Sequence, residues 1–390
     1  MKPALPTFPA FNASVVLPLL PFFLLGVAVL SGGKKTIVAE AARRDMTQKF
    51  AAMEAVPRGL PFGSFTVTRT PDVLLTDTSR SKEVPVTVTA PNESGPFPVI
   101  LFSHNVGEDG TQNEALLRWW ASHGYVVLSP THSDSLKWQQ RRADLCDPEG
   151  DDVGEGNLGL QSIVRLTTRD PQAGVQRARD LSFVLDSLET LEKQVPTLAG
   201  KLDTAHIGVA GNSLGAYAAQ LIGGAAVSIS SSDKPLSFRD PRARAILQFS
   251  GHGTGSRGLT QNSWKTIKIP MMSVTGSSDW SRGRGPEWKR ESFTYSPATG
   301  NRYHVYITGA HQGSFGGRFA SLRRGSKQFA SKSRQENGED QKAIFSYAEQ
   351  TTLAFWDMTL KGDAAAKTAL ERNAPEIARK LGVTATVSHK

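Results

Sequence analysis

A chain of 390 residues with 39% hydrophobic side chains is long enough to form one large α/β domain, or two small ones, around a buried core. Its net charge of +9 and pI near 9.6 raise the question of nucleic acid. The lysines and arginines, however, are scattered rather than gathered on one element with interleaved aromatics, which speaks against a nucleic-acid partner. The single cysteine, Cys146, excludes an intrachain disulfide, and the absence of any CxxC pair leaves no metal or redox cofactor to expect.

No charged residue separates Lys2 from Lys34, and Val15 to Leu30 is almost wholly apolar. That run is short for a membrane span and is interrupted by Pro18 and Pro21. It suits the apolar region of a secretory signal, with Ala39-Glu40-Ala41 as a small-x-small cleavage site. The positive start is thin, and Lys34, Lys35, Arg43 and Arg44 follow the run, so an uncleaved anchor is the alternative. Either way the body of the protein is expected to be exported (secreted or periplasmic) or tethered at a membrane. Residues 1–45 are therefore set apart as signal peptide or anchor, and 46–390 are expected to form one domain.

Short β-like runs open that domain at Ser64 to Arg69 and Val84 to Thr89. Pro98 to Ser103 (PVILFS) is a continuous apolar run, as a strand buried on both faces requires. Asn113 to His123 has the spacing of a helix with Leu116, Leu117, Trp119 and Trp120 on one side and Gly124 as its stop. Tyr125 to Leu128 is another buried strand. From Val175, the positions Ala178, Leu181, Val184, Leu185 and Leu188 continue a helical stripe. Ile207 to Ala210, Ala245 to Phe249, Pro270 to Val274 and His304 to Ile307 complete the strands, and Ala343 to Leu360 makes a closing helix. Strands alternating with helices imply a mostly parallel sheet covered on both faces. Ser133 to Asp170 and Ser281 to Gly300 read as irregular segments leaving strand ends, where such a sheet keeps its ligand crevice. The basic stretch Arg318 to Arg334, with no acid inside it, reads as a solvated mobile loop in preference to an anion-binding surface.

Gly211-Asn212-Ser213-Leu214-Gly215 joins the strand ending at Ala210 to a small-residue helix. G-x-S-x-G in that context is a nucleophile elbow, in which the glycines allow close backbone approach and the serine hydroxyl is thrust out of the turn. A serine needs a base, and the base an orienting acid, following in the order Ser, Asp or Glu, His. Asp279 in MMSVTGSSDW and His311 in YHVYITGAHQGSFGG each stand just past a strand in that order, with Glu287 a weaker candidate acid. The oxyanion donors expected are the amide of Leu214, directly after the nucleophile, and that of Val106 in the loop His104-Asn105-Val106-Gly107. His104 reads as a structural hydrogen-bonder. For His132, pocket lining and simple capping stand equal. Ser250 to Gly255 reads as a turn, since it lacks the spacing and lysine of a phosphate loop.

On PVILFSHNVG, ASHGYVVLSPTH, HIGVAGNSLGAYAA, TGSSDW and GAHQGSFGG, the chain resembles the α/β-hydrolases. More narrowly it resembles the platelet-activating-factor acetylhydrolase and predicted dienelactone hydrolase group. The resemblance implies Ser213 as nucleophile, Asp279 as acid, His311 as base, and Val106 and Leu214 as oxyanion amides. Two positions depart from it: Asn212 stands where that group commonly has histidine, and Asn105 where it commonly has glycine. The expected activity is hydrolysis of short-acyl, acetyl-type lipid or related esters through an acyl-enzyme, with no cofactor. Dienelactone, polyester or amide substrates are the alternatives, and a catalytically silent fold used for binding is the rival of another class. The partner is a small-molecule or lipid ester, with membrane-surface association left open.

Overall fold

The computed structural model describes residues 62–146, 167, 170, 172–229, 234–281, 283–316 and 338–390. The N-terminal segment 1–45 and the basic stretch Arg318 to Arg334 lie outside them. The chain enters through β1 (Val67–Asp77), β2 (Lys82–Pro91) and β3 (Phe97–Ser103), then α1 (Glu114–Ser122), β4 (Val126–Pro130) and α2 (Leu136–Cys146). The helices α3 (Gln172–Asp186) and α4 (Leu188–Gln194) lead to β5 (Leu202–Asn212) and α5 (Leu214–Gly223). A two-stranded ribbon of β6 (Ala226–Val227) and β7 (Leu236–Ser237) precedes β8 (Ala243–Phe249), β9 (Met271–Gly276), α6 (Pro286–Tyr295) and β10 (Arg302–Ile307). The helices α7 (Gly338–Leu360), α8 (Ala364–Thr368) and α9 (Ala374–Leu381) and the strand β11 (Ala385–His389) finish the domain.

Nine strands form one sheet in the order β1-β2-β4-β3-β5-β8-β9-β10-β11. The six from β4 to β10 run parallel, and antiparallel pairings close it at β1–β2–β4 and at β10–β11. The alternation of side chains along β3 shows why both faces must be covered. Val99 and Leu101 join one core, with Val175, Ala178, Leu181 and Leu185 of α3. Ile100 and Phe102 join the other, with Leu116 and Trp120 of α1 and Phe355 and Trp356 of α7. A fully buried residue of this kind is worth about 1.5–3 kcal/mol, so these two layers dominate the favourable side of folding.

Three expectations need correction. The opening strand runs on to Asp77, through a register shift between Thr70 and Val73; the break at Pro71-Asp72, with Asp72 at φ 52°, disguised its second half. Ser281 to Gly300 is not wholly irregular, because α6 opens at Pro286, a residue suited to a first helical turn; α2 likewise occupies the start of the segment from Ser133. The α3 stripe breaks at Ser187, and Leu188 opens α4. The edge strand β11 carried no signal strong enough to be foreseen.

Candidate active site

All the predicted site residues follow the carboxyl ends of parallel strands, on one edge of the sheet. Ser213 follows β5, Asp279 follows β9, His311 follows β10, and His104 to Gly107 follow β3. Ser213 has φ 55° and ψ −110°, a left-handed conformation that costs a non-glycine residue on the order of 1–3 kcal/mol. The surroundings hold it there. Its N–H donates to the Phe249 carbonyl at 2.9 Å, and its own carbonyl accepts from Tyr217 N–H at 3.0 Å. The flanking glycines are obligatory: a Cβ on Gly211 would stand 2.3 Å from the Gly215 carbonyl carbon, and one on Gly215 would meet the end of β3. Leu214 opens α5, so its amide is one of the first-turn donors without an intrahelical acceptor.

Asp279 is fully buried and intensively held. Ser250 Oγ lies 2.6 and 2.7 Å from its two oxygens, Thr275 Oγ1 donates at 2.7 Å, and Lys289 Nζ stands 3.8 Å away. Lys289 is itself buried, which pushes its pKa down against the opposing pull of Asp279. Glu287, by contrast, is exposed on the first turn of α6. Burial lowers the pKa of His311, against the raising effect of the nearby Asp279 charge. Its Nδ1 accepts from Gly313 N–H at 3.0 Å. Among the described residues neither a Ser213–His311 nor a His311–Asp279 hydrogen bond is formed; the ring must leave Gly313 for Nδ1–H to face the acid. The loop carrying it is tied down by Ser314 Oγ, which accepts from His311 N–H at 3.0 Å and donates to Gln341 Oε1 at 2.6 Å. Asn212 donates only a long 3.5 Å bond to the Gln312 carbonyl, and its Oδ1 is buried without a partner.

The loop after β3 is fixed from beneath by Arg177 of α3, a fully buried guanidinium. It bonds both oxygens of Asp134 (3.1 and 2.7 Å), Ser103 Oγ (3.2 Å), the His104 carbonyl and the Asn105 carbonyl (3.2 Å). His104 is indeed a structural hydrogen-bonder: Nδ1–H donates to the Asn105 carbonyl at 2.6 Å, and Nε2 accepts from His132 N–H at 3.0 Å. Asp134 also accepts from Gly107 N–H at 3.3 Å, and Arg177 holds its carboxyl far below the usual range although burial opposes this.

His132 neither lines a pocket nor caps a strand. It lies between Ser103 Oγ (2.8 Å from Nε2) and Asp180 Oδ2 (2.9 Å from Nδ1), a second Ser-His-Asp array. All three residues are sealed from solvent, and Ser103 sits in regular strand geometry rather than on an elbow. Burial and then the Arg177 charge push His132 down to about 4, while Asp180, bonded also by Lys82 and Arg80, stays ionised despite burial. This array is a strut under the loop His104 to Gly107. Sequence reasoning missed Arg177, Asp180, Asp134, Ser250, Thr275 and Lys289. The available signal was a pair of charges three apart, Arg177 and Asp180, set within the apolar stripe of α3.

A mostly parallel sheet wrapped by helices, with a strained serine between a strand and a helix at its carboxyl edge, defines the α/β-hydrolase type of fold. A family model described as Chlorophyllase matches residues 61–145, a span from β1 into α2 that includes the loop His104 to Gly107 and ends before Ser213. A search of curated proteins found no match. Among the described residues no group of His, Cys, Asp and Glu is arranged to hold a metal ion, and no helix is long and apolar enough to cross a membrane.

Proposed function

We propose that this chain is a serine carboxylic-ester hydrolase acting through an acyl-enzyme. The observation that carries the reading is the strained Ser213 elbow at the carboxyl edge of the sheet, with its two obligatory glycines. In the mechanism, His311 takes the Ser213 proton as Oγ attacks the ester carbonyl. The amides of Val106 and Leu214 receive the negative charge that develops on the carbonyl oxygen. His311 then returns the proton to the leaving alcohol, leaving an ester on Ser213. Water repeats the cycle, attacking the acyl carbon as His311 accepts its proton and regenerates the serine. Asp279 orients the imidazole and stabilises its charged form.

The chlorophyllase likeness, named for an enzyme of this class, supports ester over amide chemistry. The acetyl-type lipid preference rests on the sequence resemblance to acetylhydrolases, and export or membrane tethering on the apolar run Val15 to Leu30. Dienelactone or polyester hydrolysis uses the same machinery. One observation favours a second reading, a silent hydrolase fold used for binding: the His311 ring engages Gly313 instead of Asp279.

Labelling with a fluorophosphonate tests these readings. The enzyme should be labelled, Ser213→Ala should abolish labelling, and nitrophenyl esters from acetyl to dodecanoyl should give a kcat/KM maximum at acetyl or butyryl. No labelling supports the binding reading, labelling that survives Ser213→Ala removes Ser213 from the mechanism, and a steady rise with chain length removes the short-acyl preference.

A further inference from the structure

Within the esterase reading, on which this inference rests, the Val106 amide should await a substrate oxygen. It is already occupied. Asn105 Oδ1, from the residue directly before it, accepts the Val106 N–H at 2.8 Å. Only the oxygen of a carboxamide can face an N–H in this way, so the assignment of the two amide ends is not arbitrary. The group held there is a carbonyl oxygen, chemically close to the carbonyl of the ester that the site would bind.

Three details make this a latch rather than an incidental contact. First, the peptide joining Asn105 to Val106 cannot turn away. Its carbonyl accepts from His104 Nδ1 at 2.6 Å, Glu108 N–H at 3.2 Å and Arg177 Nη2 at 3.2 Å. In a trans peptide the N–H points opposite its own carbonyl, so anchoring one end aims the other. Second, the side chain is lightly held. Among the described residues Asn105 Nδ2 makes no hydrogen bond, so the bond to Val106 is the only polar anchor of the carboxamide. Third, Asn105 and Val106 are only partly buried whereas Ser103 and His104 beneath them are sealed, so the Asn105 carboxamide can rotate toward solvent without disturbing the core.

We infer that Asn105 is a built-in occupant of the oxyanion site, a side-chain carbonyl that caps the Val106 amide in the free enzyme and that substrate must displace. The cap competes with every substrate for one donor. A neutral ester carbonyl gains little from the exchange, because it replaces one carbonyl acceptor by another. The developing oxyanion gains more, since a hydrogen bond to a charged acceptor is roughly twice as strong. Asn105 thereby lowers productive binding of all esters while leaving the charged state preferred.

The test uses the full chain with Asn105→Ala, Asn105→Leu and Asn105→Asp. Leucine keeps the bulk of asparagine but removes the acceptor; alanine removes both; aspartate makes the cap an anion. Rates of fluorophosphonate labelling and kcat/KM for nitrophenyl acetate are read together, with thermal melts checking the fold. Losing one net hydrogen bond corresponds to a rate gain of about 2- to 10-fold, expected for both Asn105→Ala and Asn105→Leu. Asn105→Asp should slow both reactions at least about tenfold, by a stronger cap and by repulsion of the oxyanion. If Asn105→Leu is no faster than the unaltered enzyme, the side chain merely fills space or assists the site, and the cap is overturned. Should Asn105→Asp fail to fold, the other two variants decide. Failure of the esterase reading looks different: the unaltered enzyme would not be labelled, or its labelling would survive Ser213→Ala.

Discussion

Gly215 lies directly against the end of β3: a Cβ on it would stand 1.9 Å from the Ser103 carbonyl oxygen and 2.8 Å from that of His104. The elbow helix and the loop carrying Val106 are therefore in backbone contact, and neither can move without the other. Gly215→Ala should lower stability by about 1–3 kcal/mol, the cost of overpacking, and should also reduce kcat by displacing one oxyanion amide relative to the other. Thermal denaturation and ester kinetics on one preparation check this. Unchanged values of both would mean that the approach is looser than described.

Asp279 and Glu287 should behave as opposites. Within the proposed mechanism Asp279→Asn removes the charge that His311 must turn toward, and it should lower kcat on the order of 10⁴-fold. Glu287→Gln, on the exposed first turn of α6, should leave kcat unchanged. A harmless Asp279→Asn with a crippling Glu287→Gln would reverse the assignment of the acid.

Arg177 should not be replaceable even by lysine. Its fork reaches Asp134, Ser103 and two loop carbonyls at once, and an ammonium cannot cover that set. Arg177→Met leaves the Asp134 carboxylate uncompensated and should cost about 3–5 kcal/mol. Arg177→Lys should retain more stability yet still lose kcat/KM, since charge is kept and loop geometry is not. Equal kcat/KM in Arg177→Lys and the unaltered protein would deny Arg177 its role in positioning the loop.

Stability should peak near pH 6.5. Burial pushes His132 down to about 4 and His304 to about 3, and burial together with Arg177 holds His104 well below its ordinary value. The unfolded chain takes up protons on these histidines below pH 6.5 before the fold does. Stability therefore falls on acidification, by up to about 1.4 kcal/mol per pH unit for each, until the folded values are reached. Glu349 acts in the reverse sense: burial raises it to about 8, so the fold keeps a proton that the unfolded chain loses above about pH 4.5, and stability drains from about pH 4.5 up to about pH 8. Asp134 and Asp180, both held low, add their loss only below the unfolded carboxyl range near pH 3.8. Melting temperatures between pH 4 and 9 read this directly; a flat profile from pH 7 to pH 4.5 would contradict the buried neutral state of the three histidines.

The strands and the elbow were legible because their signals are local. PVILF is apolar in every position because both faces of β3 are covered, and Gly211 of G-N-S-L-G is demanded by Gly215 four residues on, although Gly215 itself is demanded by the distant end of β3. Chain order alone pointed to Asp279 and His311. What could not be read were contacts made at a distance. Ser250 and Lys289 meet Asp279 only because β8, β9 and α6 are neighbours in space, and Arg177 reaches Asn105 across 72 positions of sequence. The orientation of the His311 ring and the capping of Val106 depend on side-chain rotation, which no spacing rule encodes.

The distribution of the site over β3, β5, β9 and β10 has a consequence for how activity is acquired. Each of these strands pairs in parallel with a neighbour only after a crossover has closed, and such long-range pairing is the slow part of folding. Val106 and His311 come from opposite halves of the parallel array, so no early intermediate built from one half can hold both. Hydrolysis should therefore return during refolding later than helical circular dichroism does, and in step with burial of the tryptophans Trp120 and Trp356, which lie in the core layer that spans the sheet from β3 to β10. If the proposed mechanism holds, activity in this chain should be a late clock, one that starts only when the last parallel strand has docked.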